Sequence, residues 1–114
     1  MAEIRSEILQ GTLDLMVLQT LDAMGPMHGY GLARRIEQVS ENALVVNQGT
    51  IYLCLIRLVQ KKWIKATWGT SENNRKAKFY SISKAGQKQL KAETEDWERI
   101  SGIIGRLLQL TAGR

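Results

Sequence analysis

The side chains best suited to recognise a polar partner lie in residues 47–64, with the sequence NQGTIYLCLIRLVQKKWI. Apolar residues at helical spacing, Ile51, Leu55 and Leu58, predict that one side of this segment is buried. Five hydrogen-bonding side chains lie on other faces: Gln48, Thr50, Arg57, Gln60 and Lys61. Their amide and guanidinium groups match the edges of DNA bases, whereas Thr50, Tyr52 and the lysines match phosphates. The segment alone is equally consistent with an ordinary solvated helix face.

A second polar segment, residues 70–76, connects two predicted strands. Apolar and polar residues alternate over 64–69 and again over 78–82, and Asn73-Asn74 suits the positive φ of a hairpin tip. Three cations lie at or beside this tip, opposed by Glu72: Arg75, Lys76 and Lys78. As an isolated charge run they would be a solvated loop, but beside the helix they predict contact with a DNA backbone.

Three further residues could do chemistry, and each has a structural alternative. His28 has no second His to share a metal, so a cap or turn contact is the preferred role. Cys54 lies between Leu53 and Leu55 with no adjacent His, which favours a buried filler over a redox sensor. Tyr30 contacts either a phosphate or the core.

Catalysis is not indicated. The sequence has no nucleophile with a base and an oxyanion site, no phosphate loop and no paired carboxylates. We therefore expect no enzymatic activity, no metal and no cofactor.

Four helices are predicted to position these residues. The first covers Thr12–Met24 and ends at Gly25-Pro26, and the second covers His28–Val39. After a turn with a brief extended piece around residues 44–46, Asn47 caps the third helix. Ser83 caps a long fourth helix that reaches about Leu110. Three helices followed by a basic hairpin match a winged helix-turn-helix, in which the third helix enters the major groove.

The fourth helix carries apolar residues at heptad spacing. Leu90, Trp97 and Ile104 are seven apart, as are Ile100 and Leu107. A single helix with this seam would expose an unusually large apolar patch, so the seam predicts packing between two copies.

Composition and charge agree with this interpretation. A chain of 114 residues with 44% hydrophobic and 24% charged residues should fold as a single domain. The longest uncharged stretch falls short of the ~20 apolar residues of a membrane helix, and the single Cys favours a cytoplasmic location. Residues 28–82 carry nine Lys or Arg against three Glu, so this region alone has a net charge of +6, more than the +5 of the whole chain. This distribution favours an anionic partner.

Several segments together resemble the PadR family of bacterial winged helix-turn-helix transcriptional regulators. They are GTLDLMVLQTL, MGPMHGYGLARRIE, GTIYLCLIRLVQKKWIKATWG, SENNRKAKFYSISKAGQKQL and WERI, and the resemblance covers about residues 11–107. It implies a mainly α fold with a small β-hairpin: a winged helix-turn-helix domain over residues 1–83 and a C-terminal dimerisation helix over 84–114.

The resemblance also implies a function. A protein of this family is expected to be a homodimeric repressor that binds a pseudo-palindromic DNA operator and is released by a small-molecule effector. The implied interface joins the first and fourth helices through six residues: Leu13, Leu90, Trp97, Ile100, Ile104 and Leu107. Trp97 is the implied stacking partner for a small aromatic effector. The alternative is a winged-helix module whose third helix binds an acidic protein.

Two positions depart from the family pattern. Where the family commonly has Tyr-Pro-Ala-Leu, this chain has Tyr52, Leu53, Cys54 and Leu55, which places Leu53 on or near the DNA-facing side. Lys62 replaces a glycine after the third helix, at a helix end that favours left-handed geometry. Both changes make the family's operator preference less transferable to this chain.

Overall fold

The computed structural model describes the backbone of residues 6–111 and the side chains of residues 11–111. Within this range four helices and three strands follow one another: α1 Ser6–Met24, β1 Met27–His28, α2 Gly29–Val39, α3 Gln48–Gln60, β2 Ile64–Thr70, β3 Lys76–Ile82 and α4 Lys84–Leu108. The predicted mainly helical fold with a hairpin and a long C-terminal helix is confirmed. The division into domains at residues 83 and 84 stays a prediction.

Three helices begin at residues whose side chains cap them. Nδ1 of His28, Oδ1 of Asn47 and Oγ of Ser83 each accept a hydrogen bond from the backbone N–H three residues later, at 2.9, 2.8 and 3.0 Å. These bonds satisfy N–H groups that have no partner within the helix. The predicted caps at Asn47 and Ser83, and the structural role of His28, are confirmed.

One predicted helix boundary was wrong by six residues. Helix α1 begins at Ser6 rather than Thr12, because one glycine, Gly11, costs only about 1 kcal/mol within a run of good helix formers. Helix α4 ends at Leu108, within two residues of the predicted end near Leu110.

The sheet has three strands rather than the two predicted. Strands β2 and β3 form the expected antiparallel hairpin, and Asn74 at its tip has φ 58°. Strand β1 pairs with the other edge of β3, with Met27 opposite Tyr80 and His28 opposite Phe79. A strand of two residues has no alternating pattern in the sequence, so β1 is evident only from the folded structure.

The segment between α2 and α3 forms no strand. The chain turns at Glu41 and Asn42, whose φ values are 55° and 65°, and then runs extended into the cap of α3. The predicted extended piece alternates in burial: Leu44 and Val46 are buried, whereas Val45 is exposed. This segment therefore covers the core without a sheet partner.

One core lies between the helices and the sheet. Its fully buried members come from α1, α2, α3 and β2: Val17, Leu18, Leu21, Leu32, Ile51, Cys54, Leu55, Leu58 and Ile64. Helix α1 packs against α2, α3, α4 and β3. It is therefore the element that connects α3 to α4.

Helix α4 joins this core only at its beginning. Leu90 is 6% exposed, whereas from Glu95 to its end the helix is exposed to solvent. Leu13, on α1, is 3% exposed. Leu13, expected in a dimer interface from the resemblance, and Leu90, expected there from the heptad spacing, both lie in the core of the single chain. For Leu90 the reason is that a heptad pattern does not distinguish burial within a chain from burial between chains.

No helix within residues 6–111 is long and apolar enough to cross a membrane. Among the same residues, no three His, Cys, Asp or Glu side chains are grouped as metal ligands.

Candidate nucleic-acid interface

Helix α3 has one buried face and one exposed face. Ile51, Cys54, Leu55 and Leu58 are each at most 1% exposed and pack into the core. Because an α-helix turns about 100° per residue, the residues on the opposite side of α3 face solvent. The sequence prediction of a core face and a free face agrees with the structure.

The middle of the free face is less polar than predicted. Four exposed residues at spacings of 4, 3 and 4 form what we call the outer strip of α3: Gly49, Leu53, Ile56 and Gln60. Leu53 is 64% exposed and Ile56 is 36% exposed. The sequence placed Leu53 near this face but missed Ile56, because an isoleucine near a leucine stripe is more simply assigned to the core.

The predicted polar residues lie around this strip. Gln48 and Tyr52 are exposed, Thr50 is half-buried, and Lys61 is exposed at the helix end. They remain available to a partner at the edges of the strip.

Arg57 is engaged inside the chain. Its Nη2 donates a hydrogen bond to Oδ1 of Asp14 on α1, at 2.5 Å, in an ion pair whose side chains are 28% and 11% exposed. The hydrogen bond that Arg57 donates to Asp14 is the main reason why the pKa of Arg57 is raised. The predicted free guanidinium on the α3 face is therefore corrected: this group already has a carboxylate partner 43 residues away in the chain.

Cys54 contacts the same carboxylate. Its Sγ donates to Oδ1 of Asp14 at 3.2 Å, and the residue is 1% exposed. Burial, and then the hydrogen bond to Asp14, raise the pKa of the thiol from 9.0 to about 12. The predicted buried filler is confirmed, and this setting opposes formation of the thiolate that a redox sensor needs.

The end of α3 adds cations next to the sheet. Nζ of Lys61 lies 4.7 Å from the ring centroid of Trp63. Lys62 is exposed, lies just beyond α3 and has φ 64°, the left-handed geometry that the resemblance implies for this position. Two lysine charges thus follow α3 directly.

The hairpin of β2 and β3, which we call the wing, carries the remaining predicted cations. Arg75, Lys76 and Lys78 are all exposed. Trp68 lies opposite Lys78 in the register and is 65% exposed, and Nζ of Lys78 lies 5.6 Å from its ring centroid. The wing therefore offers an aromatic ring beside its charges, which the alternating pattern had not singled out.

An open groove of about 630 Å³ separates the start of α2 from the wing. Tyr30, 60% exposed, lines it with Arg34, Arg35 and Phe79. The exposure of Tyr30 argues against the alternative that it lies in the core, and its contact with a phosphate stays a prediction.

Trp97 and its neighbours lie elsewhere. Trp97, Ile100, Ile104 and Leu107 are 49–57% exposed on the part of α4 beyond Leu90. The predicted effector and dimer residues are thus on a different part of the chain from the α3 strip.

Comparison with known proteins gives a consistent result. The model of the transcriptional regulator PadR-like family matches residues 17–92. The structure of a transcriptional regulator from Clostridium thermocellum has a TM-score of 0.82 at 26% identity and covers 93% of this chain and 99% of its own. A PadR-like transcriptional regulator from Bacillus cereus has a TM-score of 0.79 at 28% identity, with 92% and 99% covered. An uncharacterized protein X of Lysinibacillus sphaericus is 26% identical over 106 residues, which are 93% of this chain and 96% of that protein.

Proposed function

The chain belongs to the PadR-like family of transcriptional regulators, and on that premise we propose that it is a homodimeric repressor that binds a pseudo-palindromic DNA operator. The observation that carries the proposal is the position of α3. One face of α3 is core, the other is exposed, and a wing with exposed cations follows within a few residues. This is the arrangement in which a helix enters a major groove while a wing contacts the backbone.

The contacts divide by chemistry. Gln48 and the outer strip of α3 face the base edges, while Thr50, Tyr52 and Lys61 contact phosphates. Arg75, Lys76 and Lys78 of the wing, and Tyr30 at the start of α2, contact the backbone on either side. Arg57 supports α3 through Asp14 and is not assigned to a base.

A second copy completes the interface. The exposed apolar residues Trp97, Ile100, Ile104 and Leu107 on α4 pack against their counterparts in a homodimer. Two α3 helices then occupy half-sites about 34–36 Å apart, one turn of DNA. A planar aromatic effector that stacks on Trp97 releases the operator if it binds better to a dimer with another spacing.

Salt dependence of DNA binding tests the proposal. Operator DNA is selected from genomic fragments with the purified full-length chain, and its affinity is measured by fluorescence anisotropy at several salt concentrations. The slope of log affinity against log salt should fall by about 0.9 per phosphate contact that Lys76→Ala removes. Lys91→Ala, an exposed lysine on α4, is the matched control and should leave the slope unchanged.

Each part of the proposal can fail separately. Sedimentation that shows a monomer at binding concentrations contradicts the homodimer. Failure to select any DNA contradicts the regulator and favours a module that binds an acidic protein. Planar aromatic compounds that leave operator affinity unchanged, or that act equally on Trp97→Phe, contradict the effector site.

A further inference from the structure

The outer strip of α3 carries two aliphatic side chains where a base-reading helix would usually present polar groups. Leu53 and Ile56 lie three residues apart on the same face, with Gly49 and Gln60 before and after them. We propose that Leu53 and Ile56 read the C5-methyl groups of thymines in each half-site, so that the operator requires thymine at the bases they cover. The inference rests on the proposed function and names the base that this site selects.

The geometry fits neighbouring bases. Three residues advance about 4.5 Å along a helix axis, and bases in one strand rise about 3.4 Å per step. Leu53 and Ile56 therefore reach the same thymine or adjacent ones. Gly49 has no side chain and is exposed, so the preceding turn of α3 permits a close approach to the base edges.

The chemistry of the major groove selects one base. Guanine, cytosine and adenine present mainly hydrogen-bonding groups there, and thymine adds a methyl group. A leucine placed over a polar edge removes water from that edge without replacing its hydrogen bonds, which is unfavourable. Leu53 and Ile56 therefore favour thymine by attraction and disfavour the other bases by desolvation.

Charge identifies DNA as the occupant of this apolar strip. Exposed Lys61 and Lys62 follow α3 at one end, and the wing adds exposed Arg75, Lys76 and Lys78. Arg57, the cation within α3 itself, is paired with Asp14. An uncharged strip flanked by cations is complementary to base edges between two phosphate backbones.

Replacement of thymine by deoxyuridine tests the inference, because it removes the methyl group and keeps every hydrogen-bonding group. In the selected operator, thymines are replaced one at a time and affinity is measured with the full-length chain. Loss of a buried methyl should weaken binding about fourfold at the contacted positions, the equivalent of ~0.8 kcal/mol. In Leu53→Ala, the ratio of thymine to deoxyuridine affinity at one such position should fall to near one.

Two controls make the result specific. Val39→Ala removes an aliphatic side chain that is 72% exposed at the end of α2, and it should keep the full thymine preference. Because Leu53 is 64% exposed, Leu53→Ala should fold, as circular dichroism can verify. Ile56→Ala should abolish the preference at the same or an adjacent base.

The outcomes separate this inference from the proposed function. Salt-dependent operator binding that is indifferent to every thymine replacement overturns the thymine reading and leaves the regulator intact. Failure to bind any DNA overturns both. If Leu53→Ala changes self-association instead of base preference, the strip is a contact between copies and the inference is wrong.

Discussion

The contact between Asp14 and Arg57 should contribute more to stability than an ordinary surface ion pair. The side chains are 11% and 28% exposed, and the pair joins α1 to α3. A hydrogen bond between charged groups in such a setting is worth about 1.5–3 kcal/mol. We therefore expect Asp14→Asn to lower the free energy of unfolding by about 2 kcal/mol and Tm by about 5–10 °C.

A double-mutant cycle isolates this pair. Asp14→Asn, Arg57→Met and the double variant are unfolded in urea at one protein concentration, because dimerisation would make stability depend on concentration. The coupling energy between the two positions should be about 2 kcal/mol. The pair of Asp96 and Arg99 on α4 is the matched control: its side chains are 60% and 66% exposed, and a coupling of about 0.5 kcal/mol or less is expected.

Two results would refute the reasoning. A coupling no larger than that of the control pair means that the Asp14 contact does not fix α3. If the slope of log affinity against log salt for operator binding falls by about 0.9 in Arg57→Met, then Arg57 contacts a phosphate in the complex instead of Asp14. The first concerns stability and the second concerns the DNA contact, so the two roles of Arg57 are measured independently.

Three further predictions concern single residues. Gly86→Ala places a Cβ 2.0 Å from the backbone oxygen of Trp63 and should lower the free energy of unfolding by about 3 kcal/mol. The control is Gly11→Ala, whose Cβ would have no atom within 4 Å and should not lower it. Urea unfolding measures both variants. Lys62→Gly should raise Tm, because a left-handed φ of 64° costs a residue with a Cβ about 1 kcal/mol and glycine avoids this cost. Lys62→Ala removes the same charge but keeps a Cβ, so it should not raise Tm. Because the fold raises the pKa of the Cys54 thiol from 9.0 to about 12, its stabilising contribution is complete below pH 9 and is lost as pH rises through about 12. The urea midpoint should therefore fall more steeply above pH 9 in the native chain than in Cys54→Ala, and equal slopes would contradict the buried thiol.

The features predicted correctly from the sequence depend on local interactions. Asn47 and Ser83 cap helices through bonds to N–H groups three residues away, so the cap and its partner lie in one short window. The spacing of Ile51, Leu55 and Leu58 likewise identifies the buried face of α3 within two turns. The left-handed geometry at Lys62 follows from its place just beyond a helix.

The features that were missed depend on distant parts of the chain. Arg57 was placed on the free face because its partner, Asp14, is 43 residues away and no periodicity connects them. Strand β1 exists because Met27 and His28 lie beside β3 in the folded protein, and two residues cannot indicate that alone. Leu90 continues the heptad of α4, yet it is buried within one chain, at the beginning of a helix that packs against α1. The apolar outer strip was missed for a different, local reason: the spacing of Ile51, Leu55 and Leu58 places Ile56 opposite the buried face, but its residue type favours the core.

Asp14, Cys54 and Arg57 form a cluster that connects α1 to α3, and this Asp14 cluster bears on how the proposed effector would release DNA. Asp14 of α1 holds both Arg57 and Cys54 of α3, and α1 also packs against α4. A shift of α4 at the proposed dimer interface would therefore move α1 and α3 together as one body. The distance between the two α3 helices would change while the outer strip of each stays intact. An effector acting in this way should weaken binding to full operators and leave binding to a single half-site unchanged, which anisotropy with half-site DNA can measure. An equal loss on both DNAs would mean that α3 itself is loosened, and that the cluster does not couple it rigidly to α1.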